Sequence, residues 1–351
     1  MNNHLFNYKW NLVDGFPAPN IQPNNLNVFG TFICGGGSTM GYKLAGFNHL
    51  GGVEIDPEVA DVYKTNHKPK HLYNMDIRDF NNLQDLPKEL YELDILDGSP
   101  PCSTFSMAGS REKAWGKEKQ FREGQAVQTL DDLVFVYCDT IIKLQPKVFI
   151  LENVKGIIQG NAKLYSKQIV EKMTKAGYTV QVFCLNAASM EVPQRRERVF
   201  FIGYRNDLKF PKLKLEFNEK PILFGEICDK TDNIETIRGA EIKLWQFVKF
   251  GDTGLVQACK RMNGKASFFS HNLQYYNDVA YTVTADGGGQ AIIYDLKRHY
   301  NKTEFCLAGT YPLDYNFKGL QPKYLIGMSV PPVMTAQIAN QIYLQWFKNN
   351  D

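Results

Sequence analysis

The run from Asn27 to Ile33 is short and apolar, and it passes directly into Cys34-Gly35-Gly36-Gly37-Ser38, after which Met40 to Phe47 carries helical spacing. A strand, a glycine-rich turn and a helix in that order constrain the fold more than any other feature of the chain. The alternation continues. Gly52 to Asp56 reads as a second strand, Pro57 opens a helix that includes Val59 to Tyr63, His71 to Asp76 is a third strand, and Leu93 to Leu96 is a fourth. Strands alternating with helices predict an α/β fold with a doubly wound, mostly parallel sheet. In such sheets ligands bind beyond the carboxyl ends of the strands. At the first of those ends the glycines let backbone approach a ligand closely, and the helix N-terminus favours polar or anionic groups. The second strand ends in Glu54-Ile55-Asp56, where a carboxylate can accept from both hydroxyls of a ribose. By itself this signal fits an adenosine-bearing cofactor, a nicotinamide dinucleotide or a merely tight turn.

The fourth strand leads into Asp97-Gly98-Ser99-Pro100-Pro101-Cys102-Ser103-Thr104-Phe105-Ser106. Two prolines remove two backbone donors and stop regular structure, which leaves a thiol at the mouth of a strand. A free cysteine is ordinarily a small buried hydrophobe, and it is this position that makes Cys102 a candidate nucleophile. The polar loop from Ser103 to Gly124 carries Arg111, Lys113, Lys117, Lys119 and Arg122 around Trp115, a composition that suits a lid over a polyanion as well as a solvated loop. Ala126 to Leu144 reads as an amphipathic helix. Pro146 to Leu151 reads as a buried strand that delivers Glu152-Asn153-Val154 to the same edge as Cys102. Further on, Gln194-Arg195-Arg196-Glu197-Arg198 opens a strand from Val199 to Gly203, and strand alternation predicts that Arg196 and Arg198 point the same way.

Composition narrows the remaining classes. At 351 residues the chain suits a large domain plus a smaller one. Its formal charge of +3 is too mild to decide for or against nucleic acid. The seven cysteines lie far apart with no C-x-x-C pair, which argues against zinc and disulfides and for a reducing, cytoplasmic setting. His67 and His71 have ligand-like spacing, but Pro69 between them in a Lys-rich turn speaks for a solvated loop, and no metal is expected. Met1 to Asn27 is polar and holds no signal-like apolar core, and no run reaches membrane-spanning length.

Taken in this order, the motifs resemble those of the DNA (cytosine-5) methyltransferases from Phe29 to the C-terminal helix. The resemblance is carried by the glycine turn at 34 to 37, Pro101-Cys102 with Phe105-Ser106, Glu152-Asn153-Val154, Gln194 to Arg198, and Gly327-Met328-Ser329-Val330-Pro331. It implies S-adenosylmethionine as cofactor, held by Phe32 on the adenine, Glu54 at the ribose, and Asp76 and Ile77 at the adenine edge, with Ile55 also among the cofactor contacts. Gly35, Gly37, Pro101, Ser329 and Val330 complete the expected cofactor set. Cys102, Glu152, Arg196 and Arg198 become the catalytic group, with the two arginines at the flipped base. Ser106, Thr282 and Arg298 are expected at the DNA, and Arg298 also braces the chain with Glu304. Thr282 lies in Tyr281 to Ala285, before Gly287-Gly288-Gly289. The implied layout is an N-terminal extension (1–26), a catalytic and cofactor-binding domain (27–205), a smaller target-recognition domain (206–297) and a bridging return segment (298–351). The expected form is a monomer acting on double-stranded DNA at the nucleoid, in restriction-modification with a cognate endonuclease acting separately or in phage self-protection. A tRNA-methylating branch of the same fold is the near alternative; its Cys-Phe-Thr stretch is absent from this sequence. A catalytically silent DNA-binding relative is the more distant one. Cys34, Ser103 and Met328 depart from the residues usual in the family.

Overall fold

The structure is a computed structural model and describes residues 5–101, 132–231, 236–269, 271–285 and 291–348. The chain divides into two compact units. One comprises Gly15–Asn186, Glu197–Glu216 and Met334–Asp351, and the other Met1–Asp14, Ala187–Arg196 and Phe217–Val333.

The first unit is built on a seven-stranded sheet. Its strands are β1 (Asn27–Thr31), β2 (Asn48–Glu54), β3 (His71–Asn74), β4 (Ile95–Gly98), β5 (Val148–Val154), β6 (Tyr178–Asn186) and β7 (Glu197–Arg205), in the order β3-β2-β1-β4-β5-β7-β6. The first five run parallel, and β7 is antiparallel to both β5 and β6. Helices α1 (Gly37–Leu44), α2 (Pro57–His67), α3 (Ile77–Asn82), α4 (Leu133–Leu144) and α5 (Lys163–Lys175) connect the strands. Strand order reverses between β1 and β4, and the glycine turn and the Pro100-Pro101 segment leave the sheet at that reversal.

Two strands differ from their sequence patterns for local reasons. β2 begins at Asn48, four residues before the expected Gly52, because Gly51 and Gly52 lie inside the sheet. A Cβ on Gly51 would stand 1.8 Å from the His71 carbonyl oxygen, so β3 can pair there only against glycine. β4 begins two residues after the expected Leu93, because the Asp94 carboxylate accepts from the Asn27 N–H (2.7 Å) and from Lys147 Nζ (2.8 Å). Helix α4 keeps its expected end at Leu144, while the expected start at Ala126 lies outside the described residues.

The core under this sheet is aromatic and aliphatic. Phe29, Phe80, Leu96, Tyr137, Ile141, Phe149 and Phe201 are buried together. Each such side chain contributes roughly 1.5–3 kcal/mol relative to exposure. The Tyr137 hydroxyl lies 2.9 Å from the carbonyl oxygens of both Leu96 and Ile150, so even the polar tip of this residue ties α4 to adjacent strands. At the end of the chain, α11 (Pro332–Ile342) continues into a π turn, Tyr343–Phe347. Trp346 there stacks on Phe210 at 5.5 Å and donates to the Pro211 carbonyl.

The second unit holds a small sheet in the order β10-β9-β8, made of β8 (Leu273–Gln274), β9 (Ile292–Ile293) and β10 (Arg298–His299). Helices α6 (Phe224–Ile227), α7 (Ala240–Trp245), α8 (Leu255–Asn263), α9 (Lys302–Ala308) and α10 (Pro322–Met328) complete it. Leu244, Leu255, Ala258, Cys259, Leu273 and Ile292 form its own core. The polar N-terminal stretch is part of this unit. Phe6 and Trp10 are buried, the Leu5 and Phe6 N–H groups donate to the Glu191 carboxylate, and Trp10 Nε1 donates to the Thr310 carbonyl. Among the described residues no helix is long and apolar enough to cross a membrane.

Candidate active site

At the carboxyl edge of the sheet in the first unit, β1 ends and the chain turns sharply. Phe32 (φ 55°), Cys34 (φ 47°) and Gly36 (φ 79°) all adopt left-handed backbone, and α1 starts at Gly37. The Cys34 N–H donates to Glu54 Oε2 at 2.9 Å, and the Asp56 N–H donates to Glu54 Oε1 at 2.9 Å. Glu54 thus spans the turn after β1 and the end of its own strand. Burial pushes its carboxyl up to about 7 despite those two donors. Phe32 is half-buried beside Ile77 and Leu133, and Ile55 is half-buried after Glu54. Asp76 caps α3, accepting from the Arg78 N–H at 2.8 Å, and its side chain also pairs with the Arg78 guanidinium. Gly35 and Gly37 are buried in the turn.

The second group of residues follows β4. Gly98 is paired with Leu151, so the strand that ends in Pro100-Pro101 lies directly beside the one that ends in Glu152 and Asn153. Asn153 Nδ2 donates to the Pro100 carbonyl at 3.3 Å, which holds the proline segment against the end of β5. Glu152 is paired with Phe200, and Arg198 projects from the same face two residues earlier on β7. Arg198 Nε accordingly meets Glu152 Oε1 at 2.9 Å, with both side chains nearly buried. Burial lowers the pKa of the Arg198 guanidinium, and the Glu152 charge opposes that shift. Cys102 and Ser106, with the basic loop around Trp115, lie outside the described residues.

Asp97 was not singled out by sequence reasoning. It is 5 % exposed inside the sheet, where Tyr42 donates to its Oδ1 at 3.0 Å and Ser38 also bonds to it. Burial pushes its carboxyl up to about 6, and the nearby Glu152 charge adds to the rise. Both hydroxyl donors belong to α1, so Asp97 ties the helix after the glycine turn to the strand before the prolines. The available signal was an acid inside an otherwise apolar strand run.

In the second unit four expected site residues are engaged internally. The described strand β7 begins at Glu197, so strand alternation does not extend to Arg196. Arg196 is instead 2 % exposed and donates to the carbonyl oxygens of Val283 (3.0 Å), Gly327 (3.0 Å) and Ser329 (2.8 Å). It braces two segments, and Arg198 alone pairs with Glu152. Arg298, expected at the DNA, is 4 % exposed and grips Glu304 through two 2.8 Å bonds. A guanidinium held this way inside the unit braces β10 against α9. The Ser329 hydroxyl donates to the Leu325 carbonyl and lies 2.6 Å from the Tyr311 hydroxyl, and Val330 is buried beside it in sequence.

Thr282 donates its hydroxyl to the Arg195 carbonyl, while the Arg195 side chain lies over the Tyr281 ring at 4.5 Å. Gln194 acts as an unassigned brace here, accepting from the Val283 N–H and donating to the Ala308 carbonyl. Gly287 to Gly289 lie outside the described residues. In the first unit, His67 bonds to the Gly35 carbonyl and His71 to Glu89.

The sheet has the methyltransferase fold. The DNMT2 of Spodoptera frugiperda superposes with a TM-score of 0.64 at 17% identity, covering 91% of this chain and 100% of that one. The chain belongs to the C-5 cytosine-specific DNA methylase family, which residues 26–344 match, and it is an enzyme of that class. The Type II methyltransferase M.FnuDI of Fusobacterium nucleatum is 30% identical over 273 residues, 75% of this chain and 71% of that protein. The Type II methyltransferase M.Sau96I of Staphylococcus aureus is 34% identical over 230 residues, 64% of this chain and 50% of that protein. Membership implies S-adenosylmethionine as the methyl donor. The donor set after β1 and β2 fits such a group, because an acceptor carboxylate, a half-buried phenyl ring and a close backbone turn stand at one strand edge.

Proposed function

We propose that this enzyme methylates carbon 5 of a flipped-out cytosine in double-stranded DNA at a short recognition sequence, through a covalent adduct with Cys102. The observation that carries the reading is the nearly buried Glu152–Arg198 pair at 2.9 Å, on the strand edge that also anchors Pro100 through Asn153. S-adenosylmethionine supplies an electrophilic methyl group; Glu54 would hold its ribose and Phe32 its adenine, beside the glycine turn.

Carbon 5 of cytosine is too poor a nucleophile to take that methyl group unaided. The Cys102 thiolate adds to carbon 6 and breaks the aromaticity, while a proton carried by Glu152 neutralises ring nitrogen 3. The resulting enamine makes carbon 5 nucleophilic. Arg198 holds the Glu152 carboxyl and directs positive charge toward the cytosine carbonyl oxygen. After methyl transfer the carbon-5 proton is lost and the thiolate is expelled, restoring the ring. A thiol suits both steps, being strongly nucleophilic when ionised and a good leaving group. None of this can proceed inside a stacked duplex, so the base must leave the helix at a cost of a few kcal/mol.

The relatives named Type II methyltransferases support a place in restriction-modification, with a separate endonuclease reading the same sequence. The test is mechanism-based trapping. DNA carrying 5-fluorocytosine at the target, incubated with S-adenosylmethionine, should form a denaturant-resistant adduct, because fluorine cannot leave as a cation. Cys102→Ser should form none. An adduct that survives this substitution would assign the nucleophile to another residue.

A further inference from the structure

Three residues of the turn after β1 have positive φ, and two of them, Phe32 and Cys34, are not glycine. Such backbone costs on the order of 1 kcal/mol or more per residue and persists only where neighbours hold it. Two anchors outside the turn do so. Glu54 accepts the Cys34 N–H from the side of β2, and His67, the last residue of α2, bonds through Nε2 to the Gly35 carbonyl at 3.1 Å. The fit of that ring to the turn is close. A Cβ on Gly36 would lie 2.2 Å from His67 Nε2, so the imidazole can sit there only against glycine. The ring is itself fixed, with its centroid 4.6 Å from that of Tyr63 and its own carbonyl accepting from Lys43 Nζ at 3.2 Å. Burial, aided by the Lys43 charge, lowers the His67 pKa to about 3. The imidazole is therefore neutral near pH 7. Since a carbonyl can only accept, its proton resides on Nε2.

We propose that His67 is a positioning residue for the cofactor, setting the shape of the Cys34 to Gly37 turn by donating from Nε2 to the Gly35 carbonyl. The proposal rests on the cofactor reading above. No metal and no proton transfer is involved; the imidazole acts through the backbone it holds.

Isothermal titration of S-adenosylhomocysteine into the full chain tests it. His67→Leu keeps bulk and removes the donor, and it should weaken binding about tenfold. The side-chain amide of Gln can take the place of Nε2, so His67→Gln should bind within roughly threefold of wild type. Met173→Ala, a core truncation on α5, should lower the melting temperature without changing the affinity. Wild-type affinity in His67→Leu would overturn the proposal while leaving the cofactor reading intact. A wild-type protein that binds no S-adenosylhomocysteine would overturn both. Should His67→Leu fail to fold, nitrogen-15 NMR of the wild-type imidazole decides. The Nε2–H tautomer and a shift on adding S-adenosylhomocysteine support the role, and the Nδ1–H tautomer or an unmoved resonance contradicts it.

Discussion

Glu54 carries two backbone N–H groups on its carboxylate, and burial still pushes its pKa up to about 7. The ionised form is the one that can accept from both hydroxyls of a ribose. Affinity for S-adenosylhomocysteine should therefore level off above about pH 8 and fall by about tenfold per unit well below pH 7. Titration calorimetry across that range checks this, and a flat profile would assign the ribose to another group. The free protein follows the opposite trend. A carboxyl whose pKa rises on folding from 4.5 to about 7 contributes stability that is complete below pH 4.5 and is lost as the pH rises through 7. Glu152 makes a different prediction. Glu152→Gln keeps the shape but has no acid proton to give, so methylation should slow by about two to four orders of magnitude with DNA binding retained. Filter binding beside single-turnover kinetics separates the two, and an equal loss of both would make Glu152 structural. The period of a strand explains why Arg198 meets it; that period does not reach back past Glu197, and Arg196 donates instead to the Val283, Gly327 and Ser329 carbonyls.

The elements of the sheet were legible because its buried strands leave continuous apolar runs, as in Val148 to Leu151 of the parallel β5 and Val199 to Ile202 of the antiparallel β7. Their ends were less so. Gly51 lies inside the strand where β3 needs room, and Gly52 lies where a Cβ would stand 2.5 Å from the Gly30 carbonyl oxygen of β1. The elements of the second unit were hardly legible, since strands of two residues each, such as Leu273–Gln274, leave no period to read. What holds them is long-range, and the Arg298–Glu304 pair is the clearest case. Glu304 is fully buried and also accepts from the Asn301 and Asp229 N–H groups. Arg298→Met should therefore cost about 3–5 kcal/mol by leaving that carboxylate without its counter-charge. The double variant Arg298→Met with Glu304→Leu should recover part of the loss. Urea denaturation measures both, and a single-variant cost below about 1 kcal/mol would deny the pair its bracing role.

At the scale of the whole molecule, the second unit draws on three separate stretches of chain, including Leu5 to Asp14, whose polar composition gave no hint of the buried Phe6 and Trp10. Residues 206–297 remain our proposed reader of the DNA sequence. Exchanging them with the matching stretch of a relative should move the methylated motif while keeping the chemistry, as sequencing of the modified DNA would report. Loss of all activity, in a chimera that still binds S-adenosylhomocysteine, would argue that specificity is not confined to that stretch. Cytosine methylation of DNA through Cys102 is tested by expressing the wild-type chain and Cys102→Ser in a host that lacks cytosine methylation, followed by bisulfite sequencing of the whole genome. One short motif should be modified nearly completely at a fixed cytosine in the wild-type cells and none in the Cys102→Ser cells. An unmodified genome in cells that accumulate folded wild-type protein, or modification that persists in Cys102→Ser, would contradict it.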